Sequence, residues 1–290
     1  MFKDVGSKVK GAFIKAAIKL LPKKDKLCQM FFSTMSSNIK DIVILPASTS
    51  VAKILFSRMK NPKKHGVTHS GTINGTPVTL IRTHVGTAAI APIMETLKEL
   101  GPKAVIRLDY AGSMIESMKV GSLFIAEDAI PGDGTTTQYI AENKEFARTI
   151  FHEWELELEN RDRDPVYYWM IANGFYGAVS CDGKLLEILK SVASKDNITC
   201  GTVWTTDGLF VESKEKVALW KELEAIGVDM ETSGLYFLGK LFKIPTIAIH
   251  GISDNLMTQK PFYEMESYDP AIEAGIKHAC DLLEKMLPRI

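Results

Sequence analysis

The chain has 290 residues, 46% of them hydrophobic and 24% charged, and its 35 Lys and Arg residues balance its 35 Asp and Glu. That balance supplies no net field to draw nucleic acid, the 4 cysteines form neither a zinc-ligand pattern nor a disulfide framework, and no run reaches the ~18 apolar residues of a membrane span. What is left is a protein of a reducing, cytoplasmic setting, without stable membrane insertion, metal or cofactor, and long enough to bury a substantial core.

Residues 1–40 read as a separate extension. Lys3, Lys8, Lys10, Lys15, Lys19, Lys23, Lys24 and Lys26 interleave with Val9, Phe13, Ile14, Ile18 and Leu21 in the pattern of one or two basic amphipathic helices. Such an arm either docks on the body or on a neighbouring subunit, or it meets a membrane surface or a partner. A domain over residues 41–290 follows. It opens with short β-branched runs typical of buried strands, at 41–45, 78–82, 104–108, 123–126 and 246–250. Helical candidates lie between them, from Thr87 to Leu100, Lys184 to Ser194, Lys214 to Ala225, Met230 to Leu241 and Ala271 to Met286. Strands alternating with helices predict an α/β fold, a three-layer sandwich with a mixed, twisted central sheet flanked by helices. From Thr149 to Tyr168, glutamates at every second position alternate with Trp154, Leu156 and Leu158, the period of an exposed strand in a surface insertion or of an acidic binding loop.

The segment richest in chemistry is Asp229-Met230-Glu231, which opens a helix, followed by Ser253-Asp254-Asn255 at the end of a buried strand. Asp229 and Glu231 suit a helix start on their own, because a helix N-terminus has free N–H groups and a favourable dipole for carboxylates. Asp254 at the carboxyl end of a strand adds a second acid where open α/β sheets place their ligands.

These two motifs resemble the nucleoside phosphorylase superfamily, in which an acidic triplet with a central Met opens a helix and a Ser-Asp pair follows the next strand. The resemblance extends over roughly residues 41 to 285 and takes in the stretches 42–46, 83–87, 107–112, 120–122 and 205–207. It implies cleavage of the N-glycosidic bond of a nucleoside. In that picture Glu231, with Asp229 and Met230 beside it, holds the ribose, and Asp254 is catalytic at the purine leaving group. Charge grows on the departing base, and a carboxylic acid whose affinity for a proton is raised by burial can relieve it. The base is expected to meet Thr205, Thr206, Leu209, Phe210, Ser253 and Asn255, with Trp204 and Phe210 either stacking on the base or filling core. The resemblance also implies inorganic phosphate as co-substrate, giving free base and ribose 1-phosphate, and a homo-oligomer, a dimer, trimer or hexamer.

For phosphate the candidates are Arg107, Ser48, Thr49 and Thr87, with Lys53 or Lys64 adding charge, while His65 and His69 are candidates for ribose by position. Here the chain departs from the family pattern. Ala47 and Val51 replace a glycine and an arginine, and Asp109 and Tyr110 stand where a glycine and a small hydroxyl residue belong. Arg107 at a strand end either awaits an anion or pairs with Asp109. Because Arg107 is retained, phosphorolysis is the expected reaction, with hydrolysis by water and non-catalytic nucleoside binding as the alternatives.

Overall fold

The computed structural model describes residues 20–151, 166, 169–170, 177–193, 198–258, 264 and 269–290. Most of the alternating acidic stretch and the lysines before residue 20 lie outside these residues. The first described helix, α1 (Lys23–Phe32), buries Cys28 and Phe32.

The strands are β1 (Ile42–Leu45), β2 (Lys60–His65), β3 (Thr68–Ile73), β4 (Thr76–Ile81), β5 (Ala104–Ser113), β6 (Leu123–Gly132), β7 (Val179–Ser180), β8 (Ile198–Thr206), β9 (Ala225–Asp229) and β10 (Thr246–Asn255). Among the described residues the main helices after α1 are α2 (Thr49–Arg58), α3 (Thr87–Lys98), α4 (Gly134–Glu142), α5 (Lys144–Ala147), α6 (Gly183–Val192), α7 (Lys214–Glu222), α8 (Thr232–Phe242) and α9 (Pro270–Met286). All form one mixed α/β fold, a sheet flanked by helices.

The sheet has a feature that periodicity does not reveal. β5 pairs in parallel with β10, β10 antiparallel with β6, β6 in parallel with β8, β8 in parallel with β9, and β9 antiparallel with β5. This circuit closes on itself, and β1, β4, β3 and β2 extend from β5 as an open wing. Closure brings the carboxyl ends of β9 and β10 against the second half of β5.

Three strands outrun their apolar patterns. β5, β6 and β10 continue to Ser113, Gly132 and Asn255; the extensions of β5 and β10 are mixed polar, glycine and apolar residues, nearly all buried, whereas that of β6 passes through the half-buried Glu127 and Asp128. At the crossing of β5 and β9, a side chain at Gly112 would stand 3.0 Å from Val228 and 2.7 Å from Leu256. The missing side chain lets the two strands approach and leaves room beside Asp254.

Candidate active site

A cleft of about 580 Å³ opens where these strand ends meet. Its walls include Ala47, Ser48 and Ser50 after β1, Arg107 and Asp109 to Gly112 on β5, Val228 and Asp229 on β9, Met230 and Glu231 before α8, and Ser253 and Asp254 on β10. Of the residues singled out in the sequence, Ser48, Arg107, Leu209, Asp229, Met230, Glu231, Ser253 and Asp254 line it together.

The two acids of the triplet do different things. Asp229 accepts from the Thr205 hydroxyl at 2.8 Å and from the Thr232 N–H at 3.0 Å, so its carboxylate fastens the start of α8. Glu231, only 2% exposed, accepts the Gly86 N–H at 2.8 Å and pairs with the Arg107 guanidinium. Burial pushes the Glu231 carboxyl up to about 7, opposed mainly by Arg107 and helped by the neighbouring Asp229. A buried carboxyl held by one amide and one cation is placed to receive further hydrogen bonds from a hydroxyl pair.

Arg107 settles the question of its partner in favour of Glu231. It also lies 3.6 Å through Nε from Asp229, and burial of its charge is offset by Glu231, Asp109 and Asp229. Its Nη1 is buried with no hydrogen-bond partner among the described residues. Asp109 turns the other way. Its Oδ2 accepts the N–H of Ala47 and, at 2.8 Å, that of Ser48, while Oδ1 accepts the Tyr110 N–H at 2.9 Å. These amides lead into α2, whose N-cap is Ser48. A helix entrance of this kind attracts anions, and here a carboxylate of the chain itself fills it. The Tyr110 hydroxyl closes the same corner, 3.0 Å from Ser50 Oγ.

Several expected contacts move away from the cleft for identifiable reasons. The Thr49 hydroxyl accepts from Arg82 at 3.0 Å, and the Thr87 hydroxyl donates to the Met230 carbonyl at 3.1 Å. Thr205 is committed to Asp229, and the Thr206 hydroxyl accepts the Gly208 N–H at 3.1 Å. The Asn255 amide donates to the carbonyls of Ile115 and Met118 at 2.8 and 2.7 Å, so it shapes a turn instead of meeting a base. Phe210 is 75% exposed, and Leu209 lines the cleft in its stead. Trp204 is wholly buried and stacks on Trp220 at 5.3 Å between ring centroids, which makes it core. Lys53, Lys64, His65 and His69 are not among the lining residues.

Asp254, also in the cleft wall, is 5% exposed and its Oδ1 accepts from Ser253 Oγ at 2.6 Å. Glu212 lines the cleft too, as does Val85. Val85 falls within the matched stretch 83–87 but drew no role there, and Glu212 sits in an irregular segment with no motif to mark it.

Comparison with known proteins places this geometry in context. Residues 41–288 match the family model described as the phosphorylase superfamily. A DeoD-type purine nucleoside phosphorylase from Clostridium novyi (strain NT) is 23% identical over 229 residues, covering 77% of this chain and 85% of the relative. Among solved structures, the fold resembles a uridine phosphorylase from Vibrio fischeri ES114, with a TM-score of 0.66 and 19% identity over 88% of this chain and 94% of that one. It also resembles a 5'-methylthioadenosine/S-adenosylhomocysteine nucleosidase from Neisseria meningitidis, with a TM-score of 0.63 and 18% identity over 86% of this chain and 99% of that one.

Proposed function

Because the chain belongs to the phosphorylase superfamily, we propose that it is an enzyme that cleaves the N-glycosidic bond of a purine nucleoside, with water as the acceptor of the ribosyl group. The observation that carries the choice of acceptor is the Asp109 carboxylate on the amides of Ala47 and Ser48. An anion brought there meets a fixed negative charge instead of free N–H groups. Water needs no such site.

In this reading Glu231 accepts hydrogen bonds from the ribose hydroxyls and Met230 lies against the sugar. As the bond between C1' and the base breaks, its electron pair goes to the base and Asp254 supplies a proton there. Water then adds to the oxocarbenium-like C1'.

A second reading, phosphorolysis with inorganic phosphate as co-substrate, is favoured by one feature, the buried Arg107 Nη1 that has no partner among the described residues. Incubating the protein with adenosine, inosine and methylthioadenosine, with and without phosphate, distinguishes the two. Base release indifferent to phosphate is expected. Release that requires phosphate selects phosphorolysis, and no release from any of them, with binding retained, makes the protein a nucleoside binder.

A cytoplasmic homo-oligomer completes the reading. Val85, Phe210 and Val211 are 59%, 75% and 57% exposed at or beside the cleft lining, an apolar rim of the sort that a neighbouring subunit covers. Sedimentation of the full chain is expected to give a dimer or larger assembly, and a monomer at micromolar concentration speaks against it.

A further inference from the structure

Glu212 occupies a position fixed from both sides. The Val211 N–H donates to the Gly208 carbonyl at 3.0 Å and the Ser213 N–H to the Val211 carbonyl at 2.9 Å, a compact turn that leaves Val211 exposed. Ser213 then caps α7, accepting the Lys216 N–H at 3.3 Å. Between the turn and the cap, Glu212 lines the cleft together with Asp254, in the company of Leu209, Val228 and Ile272. Two carboxyl groups facing one cleft with apolar walls do not both ionise cheaply, and they titrate as a pair.

We propose that Glu212 is a second carboxyl of the acid machinery, sharing a single proton with Asp254 and supplying it through Asp254 to the departing base. The inference rests on the reading of the cleft as a site of glycosidic cleavage. Its balance is simple. The bond between C1' and the base nitrogen breaks with its electron pair on the base, and the shared proton moves to a base nitrogen. Water adds to C1' and releases one proton, which restores the pair.

Among the described residues, the charged groups acting on Glu212 are Asp254, which favours the protonated form, and Lys216, which opposes it; burial is the largest influence and pushes this carboxyl up to about 8. Asp254 brings the Ser253 hydroxyl to one of its oxygens. The pair therefore holds its proton through the neutral range, whereas a lone exposed carboxyl loses it near pH 4.

The test uses the full chain labelled with 13C at the glutamate carboxyl, with the Glu212 resonance identified by its loss in Glu212→Gln. A titration midpoint near 8 is expected in the wild type, falling by about one pH unit or more in Asp254→Asn. A midpoint in the ordinary glutamate range, or one that ignores Asp254→Asn, overturns the pair whatever the turnover. The second arm is the pH profile of base release. Glu212→Gln is expected to lower kcat about tenfold or more at pH 7.5 with little change in KM, and to move the alkaline limb to lower pH. An unmoved limb overturns the role in proton supply. If the wild type releases no base while the midpoint stays near 8, the cleavage reading fails and with it the transfer to a base, but the shared proton stands.

Discussion

Asp109 changes what the loop after β1 can bind. Its carboxylate satisfies the amides of Ala47 and Ser48 from within the chain, so its removal frees two donors beside Arg107, whose Nη1 is already unpartnered among the described residues. Asp109→Gly is expected to make base release respond to phosphate, by about tenfold between none and millimolar amounts, while Asp109→Asn, which still fills the space, does not. If Asp109→Gly ignores phosphate, the carboxylate is not what bars the anion. His250 makes a prediction for stability. It is wholly buried, stacks on Phe124 at 5.8 Å between centroids, and burial lowers its pKa to about 4. The unfolded chain takes up this proton near pH 6.5 and the folded chain only near 4. Between those values the unfolded state binds more protons, so stability falls as the pH drops through the window, at up to about 1.4 kcal/mol per pH unit for one proton. Urea unfolding between pH 7 and pH 4 is expected to show a shallower loss in His250→Phe than in the wild type. Parallel curves would mean that His250 titrates as freely folded as unfolded.

At the scale of elements, the carboxylate of Glu231 depends on a turn in another part of the chain. Gly86 precedes α3 with φ of 100° and ψ of 149°, a conformation that only glycine adopts readily, and its N–H reaches Glu231. A side chain there would meet nothing within 4 Å, so the cost of substitution is backbone strain alone. Gly86→Ala is expected to lose about 1–3 kcal/mol of stability or to release the turn, turning the amide from Glu231 and lowering kcat/KM. Thermal melting and steady-state kinetics check the two branches, and a variant unchanged in both would show that the turn is not constrained. The legibility of the elements follows the same physics. The starts of β1, β5, β6 and β10 show in the sequence because both faces of a buried strand are apolar. The continuations of β5 and β10 do not, because those strand ends carry the polar residues of the cleft. The wing strand β2, Lys60–His65, is largely exposed at the sheet edge and has no apolar pattern to read. The site was legible where a motif joins two elements, as with Glu231 and Asp254. It was not legible where a hydroxyl or amide of ordinary type is taken up by the backbone, as with Thr87 and Asn255, or where a loop residue such as Glu212 is carried into the cleft by a turn.

Across the whole molecule, the closed circuit of β5, β10, β6, β8 and β9 makes the cleft a property of the fold as well as of its loops. Its walls come from strands that are hydrogen-bonded to one another, so a ligand that touches β5, β9 and β10 at once links distant parts of the chain. A ligand that binds the folded state alone raises stability by RT ln(1 + [L]/Kd), about 2.7 kcal/mol at one hundred times Kd. The residues around the cleft make opposite demands on such ligands. In the proposed reading Glu231 and Asp254 meet the sugar and the base, whereas Asp109 holds the amides that an anion needs. A purine nucleoside, or the free base with ribose, is therefore expected to raise the melting temperature of the wild type by several degrees, and phosphate alone to leave it unchanged beyond the effect of sulfate at equal ionic strength. In Asp109→Gly the phosphate response is expected to appear, because the amides of Ala47 and Ser48 then lose the carboxylate that occupies them, and Arg107 lines the same cleft with its Nη1 unpartnered among the described residues. A wild type stabilised specifically by phosphate would place the anion on Arg107 despite Asp109 and turn the choice of acceptor back to phosphorolysis.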